Sequence, residues 1–312
     1  MSSQDVVNGA VRIGDFGQLR LRAQELGPCR LVVVMADDDV ALTAAEHAMR
    51  LGIAVPVLLG NEAKIKAKAD ELGLTGLLAG AVIRDAENAA VVAVQMARTG
   101  EVDVLLKGHL RTDELLHAVL DKNTGLRTER LLSDVLLYED TLAGETRLVG
   151  VTDGGLNVAP TLEQKRRIVQ NAIDVMRCVG IARPKMAMMS ATEAVSAAVP
   201  STEDARRLTE MGAAGVFGEA EVYGPLALDG ALLESAARAK GITNAVAGYA
   251  DCLVVPNIEA GNLLGKAVKY LGGSQCAHVV VGARVPILIP SRVESVDDKV
   301  NSIALGVLFA RR

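Results

Sequence analysis

The chain has 312 residues, 50% hydrophobic and 23% charged, enough to bury a sizeable core, and two medium domains are expected rather than one. Formal net charge is -5 and no long block of like charges appears, which excludes a polybasic surface for nucleic acid or an anionic membrane. Any anionic substrate must then be held by a few local cations.

From Arg30 onward, short β-branched runs alternate with longer helical patterns, the signature of βαβ units and a mainly parallel sheet. The expected strands are "RLVVVMA" (30–36), "VPVLLG" (55–60), "GAVIRDA" (80–86) and "VDVLLKG" (102–108). Between them "DVALTAAEHAMRLG" and "ENAAVVAVQMARTG" read as helices, each closing on the glycine expected just past a helix end. The alternation breaks at 131–155, where two strand-like runs flank the turn-rich "EDTLAGET" with no helix between them, so a hairpin is expected. It then resumes with a long helix at "TLEQKRRIVQNAIDVMRCVG" and a strand "PKMAMMSA". A helix from Ser201, a strand near "EAEVYG", one helix "LDGALLESAARAKG" and a strand "CLVVPN" follow.

Near the end "AHVVVG" and "VPILIP" are separated only by "AR", too short for the crossover that joins parallel neighbours, so the two are expected in different sheets. That places residues 1–126 plus 283–312 in a first α/β domain and 127–282 in a second, inserted one. The expected fold class is two doubly wound α/β/α domains with mainly parallel sheets, and the cleft between such domains is the default ligand site.

Several motifs are missing. No two glycines are separated by a single residue, which rules out the G-x-G-x-x-G dinucleotide fingerprint. "GNLLGKA" (261–267) has one residue too few between its glycines for a phosphate loop, and an alanine where Ser or Thr binds magnesium, so it reads as a helix start. None of the four histidines stands at zinc-ligand spacing from another, and H-E-x-x-H and G-x-S-x-G are missing. Cys29, Cys178, Cys252 and Cys276 form no C-x-x-C pair, pointing to a reducing compartment and no metal cluster. The first twenty residues lack a basic segment followed by an apolar one, and no apolar run reaches the ~18 residues that span a bilayer, so a cytoplasmic protein is expected.

Two stretches carry chemistry. In "KGHLRTDELLHAVL" Lys107 ends a strand at the C-terminal edge of a parallel sheet, where ligands bind in open α/β folds, and Thr112 is expected to cap the following helix. In "PSRVESVDD" (290–298) Ser291 and Arg292 follow a strand directly, while Ser295 and Asp298 have the S-x-x-D spacing of a capping box. One reading is structural throughout, with Arg292 a solvated loop charge. The other is catalytic. Arginine offers a planar fork of donors to a phosphate, a serine hydroxyl can bond a thiol or an oxyanion, and a carboxylate can take a proton from a thiol. Seven residues of helix would put Ser291 about 10 Å from Asp298, so cooperation requires Ser291 on a turn folded back over the first helical turn.

Five blocks in order, "LLKGHLRTDELLHAVLDKNTGLRTERLLSDV", "VTDGGLNVAPTLEQKRRIVQNAID", "YGPLALDGAL", "LVVPNIEAGNLLGKAVKYLGG" and "VVVGARVPILIPSRVESVDDKV", resemble the phosphate acetyltransferase and phosphate butyryltransferase family. The likeness runs from about residue 15 to the end. It implies reversible transfer of a short acyl group, acetyl or butyryl, between coenzyme A and inorganic phosphate. It also implies no bound cofactor or metal, acyl-coenzyme A and acyl phosphate as small-molecule partners, and a homodimer or larger homo-oligomer. The resemblance assigns Ser291 to the thiol, Arg292 to phosphate and Asp298 to the general base, and points to Asp153, Asn157, Asp229, Gly261 and Asn262 as lining the site. His117 stands where acetyl-type members carry an arginine, and "GLRTERLLS" looks closer to the butyryl-type branch. The missing cation is then supplied by Lys107, Arg127 or Arg130, and Glu294 and Asp297 remain alternatives to Asp298. Two rivals stay open: a metal- and nicotinamide-dependent dehydrogenase of the isocitrate or isopropylmalate type, and a non-catalytic sensor of acyl phosphate.

Overall fold

The computed structural model describes residues 6–7, 10–142, 144–291 and 293–312. The N-terminal segment forms a short antiparallel pair, β1 (Val6–Val7) and β2 (Ala10–Val11). A βα series follows with β3 (Cys29–Val34), β4 (Ala54–Gly60), β5 (Val82–Asp85) and β6 (Val104–Lys107). β7 (Ser133–Asp140) and β8 (Arg147–Thr152) form the expected antiparallel hairpin. β9 (Lys185–Met189), β10 (Glu221–Leu226) and β11 (Cys252–Val254) alternate with helices, and β12 (Cys276–Val281) and β13 (Ile287–Leu288) precede the last helix, Val296–Ala310.

The chain groups into two compact units, one of Gly17–Leu132 with Gln275–Arg312, the other of Met1–Phe16 with Ser133–Ser274. In the first the strand order is β12-β13-β6-β3-β4-β5, parallel from β13 to β5. The nearly continuous apolar runs of β3, β4 and β6 are buried because a parallel strand is covered on both faces. In this order β6 lies on the opposite side of β3 from β4, so the chain reverses direction across the sheet between β3 and β6. The second unit has the order β10-β9-β11-β8-β7, with only the β7 and β8 pair antiparallel.

Four local expectations are corrected. β12 and β13 share one sheet as antiparallel neighbours, Val280 opposite Ile287, because a short connection that forbids a parallel crossover still permits a reversal. Thr112 is the first helical residue of Thr112–Leu120, and Arg111 occupies the cap position without a side-chain cap, its guanidinium bound to Asp113. Helix Ile258–Lys266 starts three residues before "GNLLGKA", capped by Asn257, whose side chain accepts from Ala260 N. "LDGALLESAARAKG" is two short helices, Leu228–Leu232 and Glu234–Ala239. They break because the Gly230 and Ala231 carbonyls accept from Gly248 N and Ala250 N instead of continuing one helix.

The terminal helix is buried without interruption from Asp298 to Phe309, as a helix apolar on nearly every side must be. Its capping box is formed as the S-x-x-D spacing requires.

Candidate active site

The stretch between β13 and the terminal helix is a tight turn. Ser291 N donates to Glu294 Oε1 at 2.8 Å, and Glu294 N returns a bond to the Ser291 carbonyl at 3.2 Å. Asp298 is fully buried. Its Oδ2 accepts from Ser295 N at 3.0 Å and Ser295 Oγ at 2.5 Å, while Oδ1 accepts from Cys276 N on β12 at 2.9 Å. The helix start is thereby anchored to the sheet. Glu294 is 7% exposed, its Oε1 stands 3.6 Å from His278 Nε2 on β12, and its buried Oε2 has no hydrogen-bond partner among the described residues. Arg292 lies outside the described residues.

At the reversal point of the same sheet, Lys107 ends β6 and is buried, its Nζ donating to the Gly108 and Leu110 carbonyls at 3.2 Å each. Gly108 and His109 bond back to Val34 and Met35 at the end of β3. A Cβ on Gly108 would run into the Met35 carbonyl, so only glycine permits this approach. Beside it Asp37, Lys64, Lys68 and His109 border a cavity of about 580 Å³, the position favoured for ligands in open α/β sheets. Asp37 Oδ1 is buried without a partner among the described residues, and Oδ2 is 3.8 Å from His109 Nδ1.

In the other unit, β8 and β11 run parallel with Val254 opposite Thr152, so both deliver their following loops to one sheet edge. Asp153 is 3% exposed, and its carboxylate gathers the loop: Oδ1 accepts from Gly155 N and Leu156 N at 2.9 Å each, Oδ2 from Asn157 Nδ2 at 2.6 Å. Burial, and then the charge of Asp134, push its carboxyl up from the ordinary range. Gly154 lies against Gly261 in the first turn of helix Ile258–Lys266, where a Cβ on Gly261 would sit 2.7 Å from Gly154 Cα. Asn262 Nδ2 donates to the Gly154 carbonyl at 3.4 Å. Asp153, Asn157, Gly261 and Asn262 are thus one assembly.

The remaining expected residues have other company. Asp229 is exposed and accepts from Lys240 Nζ at 2.7 Å, which holds its carboxyl below the usual range. Arg127 and Arg130 are exposed on the segment that Thr128 ties to the Gly282 carbonyl, and Arg127 bridges to Ala283. His117 is exposed in the last turn of its helix. Among the described residues no group of three or more His, Cys, Asp or Glu is placed to hold a metal ion. The residue that sequence reading left only as a substitute, Glu294, is the one the turn places against Ser291, and His278 was passed over. A glutamate three residues after Ser291, able to reach back to its N–H, was the available signal for the first; none marked the second.

The family signature described as "Phosphate acetyl/butaryl transferase" matches residues 74–307. The chain belongs to the phosphate acetyl/butyryltransferase family. A phosphate acetyltransferase of Rhizobium meliloti is 40% identical over 298 residues, 95% of this chain and 94% of its own. A phosphate butyryltransferase of Clostridium acetobutylicum is 36% identical, covering 96% of this chain and 99% of its own. Among solved structures, a branched-chain phosphotransacylase from Enterococcus faecalis V583 superposes with a TM-score of 0.79 at 27% identity, covering 90% of this chain and 99% of that one. The mainly parallel α/β architecture of this acyltransferase family is therefore shared, and the dehydrogenase and sensor alternatives find no support in these matches.

Proposed function

We propose that this chain transfers a short acyl group reversibly between coenzyme A and inorganic phosphate, with no bound cofactor. The observation that carries this reading is the family match over residues 74–307, a range that includes Ser291, Arg292 and Asp298. Ser291 presents its hydroxyl to the thiol of coenzyme A, and Arg292 binds the phosphate and stabilises its departure. A thiol with pKa of roughly 8.5 is only a few per cent ionised at neutral pH, so a carboxylate must take its proton. The resemblance gives that role to Asp298, with Glu294 or Asp297 as alternatives. Lys107, Arg127 and Arg130 are the cations proposed in place of the arginine missing at His117. Asp153, Asn157, Asp229, Gly261 and Asn262 are proposed to bind substrate, the Asp153 and Gly261 assembly being supported by its closely packed backbone. We place the protein in the cytoplasm as a homodimer or larger homo-oligomer. Among the described residues no helix is long and apolar enough to cross a membrane.

The test is release of free thiol from acetyl-coenzyme A and from butyryl-coenzyme A, with and without phosphate, in the presence of a chelator. Phosphate-dependent, chelator-resistant release is expected, and the ratio of the two rates sets the acyl chain length. Absence of release with both thioesters rejects the short-chain reading.

A further inference from the structure

Ser291 and Asp298 can act on one sulfur only if the chain between them folds back over the start of the terminal helix. Glu294 closes that fold. Its Oε1 accepts the Ser291 N–H at 2.8 Å, and its own N–H returns to the Ser291 carbonyl at 3.2 Å, so a side-chain bond and a main-chain bond clamp the same four residues. Pro290, just before the clamp, has no N–H to donate, and Val293 inside it is exposed instead of packed.

Stability does not explain a glutamate at this position. Ser295 and Asp298 complete the capping box of the helix without it. Glu294 is buried, its Oε2 bonds to nothing among the described residues, and a buried carboxylate oxygen left unpaired is unfavourable. What the residue contributes is placement, and β12 is the frame of reference. Cys276 N on this strand donates to Asp298 Oδ1 at 2.9 Å. Two residues on, where a strand repeats its orientation, His278 N donates to Ser302 Oγ of the terminal helix at 2.9 Å. The His278 ring stands beside the clamp, with Nε2 3.6 Å from Glu294 Oε1. One strand thus borders both the carboxylate assigned to the thiol proton and the side chain that holds the Ser291 N–H.

We propose that Glu294 is a positioning residue for the acyl transfer, fixing Ser291 against the first turn of the terminal helix while Asp298 keeps the proton-accepting role; this rests on the acyltransferase reading above. What Ser291 requires of position 294 is an acceptor oxygen, not a charge, since the group it offers is a neutral N–H.

The test measures phosphate-dependent thiol release by the full-length wild type, Glu294→Ala and Glu294→Gln, below the unfolding temperature of each. Glu294→Ala removes the acceptor and is expected to lower kcat by about 10- to 100-fold, the cost of a slightly misplaced reacting group, with thioester and phosphate KM changed by less than about threefold. Glu294→Gln keeps an oxygen for the N–H and restores most of that loss, to a kcat at least about fivefold above Glu294→Ala. In a Ser291→Ala background, Glu294→Ala costs less than about threefold more, because residues that act through one another are not additive. Three results each overturn the proposal: a wild-type kcat for Glu294→Ala, a Glu294→Gln no faster than Glu294→Ala, or the full loss repeated in the Ser291→Ala background. Should Glu294→Ala not fold, Glu294→Leu fills the space without an acceptor; the same loss is expected, and a wild-type kcat again overturns the assignment. A wild type that releases no thiol with either thioester sinks the acyltransferase reading and this inference with it. An active wild type with any of the three overturning results sinks this inference alone.

Discussion

Ser295 shows how one hydroxyl serves a donor and an acceptor at once, accepting from Asp298 N and donating to Asp298 Oδ2. Ser295→Ala removes the cap of a buried helix and is expected to cost about 1 kcal/mol, read as a lower midpoint in urea unfolding. Arg292 is assigned to the departing phosphate. Arg292→Gln should therefore lower kcat by the equivalent of about 2–4 kcal/mol, and a wild-type rate would reject the role. Asp153 makes a prediction of a different kind. Its folded-state pKa is raised from 3.8, by burial and then by Asp134, so the folded chain holds this proton more tightly than the unfolded one. Its contribution to stability therefore falls as pH rises from 3.8 through the raised value, and is constant on either side. Asp134→Asn removes the second cause, and urea unfolding at a series of pH values above 3.8 should show a shallower fall than in wild type. An unchanged slope would show that Asp134 does not act on Asp153.

At the scale of elements, the loop after β8 and the helix after β11 meet backbone to backbone, because Gly154 and Gly261 carry no side chains to separate them. A methyl on Gly261 would lie 2.7 Å from Gly154 Cα and 2.9 Å from the Asp153 carbonyl, neither of which is a flexible side-chain end. Gly261→Ala is expected to cost about 1–3 kcal/mol by forcing the two elements apart. If the assembly binds substrate, the same change raises the thioester KM; a variant with wild-type stability and KM would dissociate this contact from both roles. Gly108 plays the corresponding part between β6 and the end of β3. In both places the elements themselves were legible from periodicity, whereas the closeness of their approach was not, since no pattern within either element encodes what faces it.

Across the whole molecule the four cysteines are thiols, outside any disulfide, and Cys29, Cys252 and Cys276 are buried while Cys178 is partly exposed. Burial pushes the Cys252 thiol well above its ordinary range, so its reactive thiolate is suppressed in the folded chain. A thiol reagent should modify Cys178 first in the native protein and all four residues after unfolding. Rapid native labelling of Cys252 would contradict the packing of β11 between β8 and β9.

What the amino-acid sequence determined by itself was whatever is local along the chain. Alternation of apolar runs marked the strands from β3 to β11, the turn-rich segment marked the hairpin of β7 and β8, and S-x-x-D marked the cap of the terminal helix. Five ordered blocks marked the family, which the match over residues 74–307 bears out. The misjudged elements failed where a distant partner overrode local pattern. The helix expected from Leu228 breaks because residues 248 and 250 claim its carbonyls, and β12 joins β13 because a short connection closes an antiparallel pair as readily as it forbids a parallel one. The site divides along the same line. Ser291 and Asp298 could be named as candidates along the chain, with Glu294 only as a substitute, but whether a carboxylate oxygen is occupied depends on atoms remote in the chain. Cys276 N, separated from Asp298 by 22 positions, takes one oxygen of that carboxylate, while Glu294 Oε2 is left buried and unpaired among the described residues. Hydrogen-bond capacity is settled by what surrounds an atom in space, and only the tertiary structure assembles those surroundings.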